Sequence, residues 1–119
     1  MVSSYDNLKA WILQLPEVKE SPHRFGGTEF QVAGVEFMHS HGSSILDIRL
    51  SASDQARVLE AGEAQRHQFA PQAGWVSFRI KGPDDLDRAK RVIQMAYENA
   101  KKKLEDVKSR RSNSKLGEY

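Results

Sequence analysis

Three short runs between residues 28 and 50 alternate apolar and polar side chains, and the breaks between them leave room only for tight turns. Ala33-Gly34 separates Phe30-Gln31-Val32 from Val35-Glu36-Phe37 as a two-residue hairpin link, and Gly42-Ser43 marks a second turn before Ser44 to Leu50. Links of this length join only antiparallel neighbours, because a parallel pair needs a crossover of about a dozen residues or more. The chain is therefore committed to an antiparallel meander. In its third run Leu46, Ile48 and Leu50 share one face, while Ile45, Asp47 and Arg49 share the other.

Helical signals flank this meander. Leu8, Trp11, Ile12 and Leu15 recur at helical spacing behind Ser3, Ser4 and Asp6, and Pro16 marks the exit. Residues 17–20 read as extended, with the glycine pair Gly26-Gly27 able to turn the chain through positive φ before Thr28. Ser51 or Ser53 caps a middle helix that Gly62 stops, and Trp75 to Ile80 alternates as a further strand. Gly82-Pro83-Asp84-Asp85 opens a last helix whose stripe is Leu86, Ala89, Ile93, Ala96, Tyr97, Ala100 and Leu104. The expectation is an α+β, two-layer domain: an antiparallel sheet of four to five strands with N-terminal, middle and long C-terminal helices. It spans residues 1–107, and 108–119 read as a basic, disordered tail without apolar periodicity.

At 119 residues one core is expected, and the absence of cysteine excludes disulfides, thiolate nucleophiles and Cys-based zinc sites. The basic pI of about 9.0 points towards nucleic acid until the charges are located. Residues 101–119 hold seven Lys and Arg against three acids, so the +2 of the whole chain leaves −2 on residues 1–100. A body built to grip phosphates concentrates positive charge on its folded surface. No leader or membrane span is legible, and the expected location is cytoplasmic.

The residues that carry chemistry are histidines and their neighbours. In Val35 to His41 a period of two puts His39 and His41 on one face, together with Val35 and Phe37. Glu36 and Asp47 are the nearest carboxylates, and His67 precedes the Trp75 strand. If the sheet brings them together, these imidazoles can move protons or hold a divalent metal such as zinc. Trp75 alternates away from Val76, Phe78 and Ile80, so with Ser77 and Arg79 it is placed to wall a pocket; Arg24 beside the glycine pair is placed to clamp an anion. Phosphate-loop and nucleophile-elbow motifs are absent.

Residues 16–100 resemble the luciferase-domain family, which includes fungal luciferases and short bacterial proteins. The resemblance rests on Pro22-His23-Arg24-Phe25-Gly26-Gly27-x-Glu29-Phe30, on Gly34-Val35-Glu36-Phe37-Met38-His39-Ser40-His41-Gly42, and on Leu46-Asp47-Ile48-x-Leu50. It continues through Gly62-x-Ala64-x-x-His67, Gly74-Trp75-Val76 and the Ala89 to Tyr97 stretch. The fungal enzymes oxidise a hydroxylated pyrone with molecular oxygen, without metal or organic cofactor, and the resemblance implies His39 and His67 as bases that deprotonate an enol. Those enzymes are much longer, so light emission is not implied. The element order is also similar to that of the small YjbR-type proteins.

The functional expectation is a small-molecule-binding domain for a ligand of aromatic type. The resemblance adds a cofactor-independent, oxygenase-like activity. The candidate catalytic residues are His39, His41 and His67, of which His41 rests on its shared face with His39, and Arg24, Glu36, Asp47, Trp75 and Arg79 are the candidate ligand-binding residues. The alternative is a YjbR-like nucleic-acid-binding or protein-interaction module using the basic tail.

Overall fold

The computed structural model describes residues 3–23, 26–66 and 73–117, with side chains described as far as Lys103. The chain runs α1 (Ser4–Gln14), β1 (Val18–Pro22), β2 (Thr28–Val32), β3 (Val35–His41), β4 (Ile45–Arg49), α2 (Ala52–Glu60), β5 (Gln65–Arg66), β6 (Trp75–Arg79) and α3 (Leu86–Gly117), the last entered through a single 3-10 turn at Pro83–Asp85. The strands form one antiparallel sheet in the order β1-β2-β3-β4-β6-β5. Among the described residues it has six strands, rather than the four to five that the sequence predicts. The additional one, β5, is two exposed residues long, too short to display any alternation.

Local chemistry accounts for the elements. The Ser3 side chain accepts a hydrogen bond from the Asp6 amide to start α1, and Ser51 does the same for Asp54 at the start of α2. The link between β2 and β3 is the expected two-residue turn, with Ala33 at φ 50° and Gly34 at φ 86°. Asp85 accepts from the amides of Lys81 and Gly82 at the entry to α3, and these bonds hold its carboxyl below the ordinary value. The α3 helix continues to Gly117, ten residues into the segment for which the sequence predicts disorder. Pro is absent beyond Pro83 and no glycine intervenes before Gly117, so the local chemistry contains nothing that stops the helix.

A single cluster of buried hydrophobic residues joins the sheet to the helices. Phe30, Met38, Leu46, Ile48, Val76 and Phe78 come from the strands, Leu8 and Ile12 from α1, Val58 from α2, and Ala89, Val92, Ile93, Ala96, Tyr97 and Ala100 from α3. Truncating a residue such as Phe30 to alanine costs about 3–5 kcal/mol at sites of this kind. Polar bonds fix the layers: the Tyr97 hydroxyl donates to the Pro16 carbonyl at 2.8 Å, and the Tyr5 and Ser40 hydroxyls bond at 2.7 Å. Leu46 and Ile48 alternate with Asp47, as Val76 and Phe78 alternate with Ser77, so the polar residues occupy the sheet face away from this cluster. That second face carries the candidate site.

Among the described residues no helix is long and apolar enough to cross a membrane.

Candidate functional site

The central strand β3 is interrupted, and the interruption builds the site. Opposite β2, Gln31 pairs with Glu36 but Phe30 pairs with Met38, so Phe37 is passed over as a β-bulge. The extra residue changes the alternation. Phe37 turns towards the helices, where its ring meets Tyr97 edge-on at 5.9 Å, and Met38 is buried behind it. The sequence places Phe37 on the face of His39, and the bulge corrects that assignment. It also brings Glu36 to the face of His39, from which strict alternation would have kept it away.

His39 is the centre of the assembly. Its Nδ1 lies 2.8 Å from Glu36 Oε1, and its Nε2 lies 3.0 Å from Asp47 Oδ2. Only a ring carrying a proton on both nitrogens can donate to two carboxylates at once. Burial of the ring opposes that charge and is the largest single influence. The hydrogen bonds that the ring donates to Asp47 and then to Glu36, with their Coulombic attraction, together outweigh it and raise the His39 pKa above the ordinary imidazole value.

Asp47 joins a second imidazole to the first. The same oxygen, Oδ2, lies 2.9 Å from His41 Nε2, and Oδ1 accepts from the Ser77 hydroxyl at 2.8 Å. Pairing places these groups without further help, since Asp47 is the cross-strand partner of both His39 and Ser77. The Asp47 side chain is 7% exposed whereas that of His41 is 42% exposed, so the network runs from a buried carboxylate to an accessible ring. Glu29, the β2 partner of His39, is hydrogen-bonded to Gln31.

Two aromatic groups flank the histidines. The Trp75 ring centroid is 5.0 Å from that of His39, on the face expected from the alternation of β6. His23 stacks on His39 with centroids 4.2 Å apart and planes 23° apart, and its Nε2 is 4.0 Å from Glu36 Oε1. Its position depends on the glycine pair. The His23 amide donates to the Gly27 carbonyl, the Gly26 amide donates to the His23 carbonyl, and Gly26 and Gly27 have φ of 96° and 81°. A Cβ on Gly27 would lie 1.9 Å from the Ser40 carbonyl oxygen, so only glycine lets this turn close on β3.

Of the residues the sequence singles out, the structure brings together Glu36, His39, His41, Asp47 and Trp75. Arg79 lies on the same face, in register with Ile45 and, through it, with His41. Arg24 and His67 lie outside the described residues. Sequence reasoning missed His23 as a site residue, although it precedes the Gly26-Gly27 turn inside the segment that carries the family resemblance. It also missed Ser77 as the hydrogen-bond donor that steadies Asp47.

The sheet, its helices and this cluster define an α+β domain with a histidine–carboxylate site on the face of its central strands away from the helices. Residues 34–96 match the family described as Luciferase domain, and the chain belongs to that family. The match contains β3, β4, α2 and β6, and with them Glu36, His39, His41, Asp47, Trp75 and Ser77; His23 lies before it. No curated protein matches the chain.

Proposed function

We propose that the sheet face away from the helices binds, at its accessible His41, a small, flat molecule bearing an acidic enol or phenol and takes its proton, with His41 as the base. The observation that carries this reading is the Asp47–His41 pair. With Nε2 hydrogen-bonded to the buried carboxylate at 2.9 Å, His41 has the tautomer that leaves a lone pair on Nδ1. Nδ1 has no hydrogen-bond partner among the described residues, and the ring is accessible. His39 is unsuited to that step because both its nitrogens are engaged by carboxylates. Its role is a fixed positive charge beneath the ligand, which favours the anion formed there. The proton moves from the ligand oxygen to His41 Nδ1, and the resulting imidazolium is paired with Asp47. Trp75 and His23 supply aromatic walls for a flat ring.

The family resemblance suggests a second step after deprotonation. An enolate is electron-rich enough to react with molecular oxygen, which is the reaction class of the fungal luciferases. Titrating the full chain with a small hydroxypyrone, monitored by NMR, tests the binding step, and an oxygen electrode tests the second. Saturable shifts at His41 and Trp75 that His41→Ala weakens by about tenfold or more are expected for loss of a charge-assisted hydrogen bond. Absence of saturable binding, or shifts confined to the helical face, would sink the reading.

A further inference from the structure

We infer that His39 Nε2, His41 Nε2 and Asp47 Oδ2 form a binding site for one divalent first-row metal ion of the zinc class. The inference rests on the placement of these side chains and does not require the proton-transfer reaction. All three atoms lie within 4.8 Å of one another, and the carboxylate oxygen is 3.0 Å from one nitrogen and 2.9 Å from the other. Metal bonds of about 2.0–2.2 Å at the tetrahedral angle zinc favours place neighbouring ligand atoms about 3.4 Å apart. An ion that replaces the two ring protons facing Asp47 therefore spreads each oxygen–nitrogen pair by about half an ångström, within reach of small side-chain rotations. Two imidazoles and one carboxylate on one side leave the remaining coordination positions for water or an oxygen ligand.

The surrounding hydrogen bonds point the same way. A metal-ligating histidine characteristically donates its other ring N–H to a carboxylate, and His39 Nδ1 meets Glu36 at 2.8 Å. The Ser77 hydroxyl holds the second oxygen of Asp47, and Oδ2 faces the two ring nitrogens. Both ligands thus have their outer partners in place, and the outer side of His41 faces water. A second grouping, His23, Glu36 and His39, is also compact. There, however, the two rings are stacked face to face at 4.2 Å, an arrangement that sets their in-plane lone pairs side by side rather than converging.

The test is calorimetric titration of the full-length chain with Zn²⁺, paired with the visible absorption of the Co²⁺ complex. One equivalent is expected to bind. Glu36→Gln should weaken affinity by about 10–100-fold, the range found when the outer partner of a ligand is removed, and His41→Ala and Asp47→Asn, which remove ligands themselves, by at least as much. His23→Phe should change it by less than about threefold, since stacking rather than ligation is what that ring supplies. His41 is exposed, so His41→Ala decides the matter even if the buried Asp47→Asn variant fails to fold. No stoichiometric binding, binding indifferent to His41→Ala, or binding lost on His23→Phe would overturn the inference. The titration contains no small molecule, and the hydroxypyrone experiment is run with chelator, so either reading can fail alone.

Discussion

Glu36 and His39 stand three residues apart in one strand and still meet on the same face, Oε1 to Nδ1 at 2.8 Å, because the bulge at Phe37 turns the chain by one residue between them. Asp47 holds the other side of the same ring at 3.0 Å from a neighbouring strand. The two carboxylates differ in depth, with side chains 7% and 28% exposed for Asp47 and Glu36. A charge interacts more strongly where less water screens it. Asp47→Asn should therefore lower the His39 pKa more than Glu36→Gln does, as read from NMR titration of the ring in each variant. An equal or reversed order would show that the two contacts do not differ in this way.

Stability should depend on pH through the same ring. The folded-state pKa of His39 is raised above its unfolded value of about 6.5, so the folded protein binds the proton more tightly. The stabilisation it brings is fully present below that unfolded value and is lost as pH rises through the folded value. Urea denaturation across this window should show stability falling with pH in the wild type and a flatter profile in His39→Gln. Identical slopes would mean that His39 is not charged between its carboxylates.

The glycine pair gives a matched comparison. Gly26 and Gly27 both have positive φ, but a Cβ on Gly26 meets nothing within 4 Å, whereas one on Gly27 collides with the backbone of Ser40. Gly26→Ala should cost only the backbone strain, about 1 kcal/mol. Gly27→Ala should cost more than that and displace His23 from His39, which the ring-current shift on His39 protons reports. If both variants keep that shift, the turn is not what positions His23.

Ser77→Ala removes a hydrogen bond to an ionised carboxylate that is itself buried. Bonds of this kind contribute about 1.5–3 kcal/mol, and chemical denaturation should show a loss in that range. The Asp47→Asn variant already lacks the charge, so adding Ser77→Ala to it should cost distinctly less. Additivity of the two changes would show that Ser77 and Asp47 do not act as one unit.

The sequence carried much of this arrangement and missed the rest for identifiable reasons. Alternation in residues 45–49 and 75–79 placed Asp47, Trp75 and Ser77 opposite the core, because a strand's period of two is enforced wherever one face is buried. The helix caps at Ser3 and Ser51 and the Ala33-Gly34 turn were equally legible, each being local chemistry. The bulge was not. Val35 to His41 reads as uninterrupted alternation, and the additional residue is apparent only once β2 is laid beside it. His23 was missed because it reaches His39 across a turn, and where a turn folds back is decided by the tertiary contact between Gly27 and Ser40.

The central claim, that His39 is a doubly hydrogen-bonded imidazolium between Glu36 and Asp47, is tested most directly by long-range proton–nitrogen NMR correlation of the histidine rings at about pH 6, below the ordinary imidazole value of about 6.5. The account predicts that both His39 ring nitrogens are protonated, with Glu36→Gln perturbing the Nδ1 signal and Asp47→Asn perturbing Nε2. A neutral His39 with a single ring N–H, insensitive to either substitution, would contradict it.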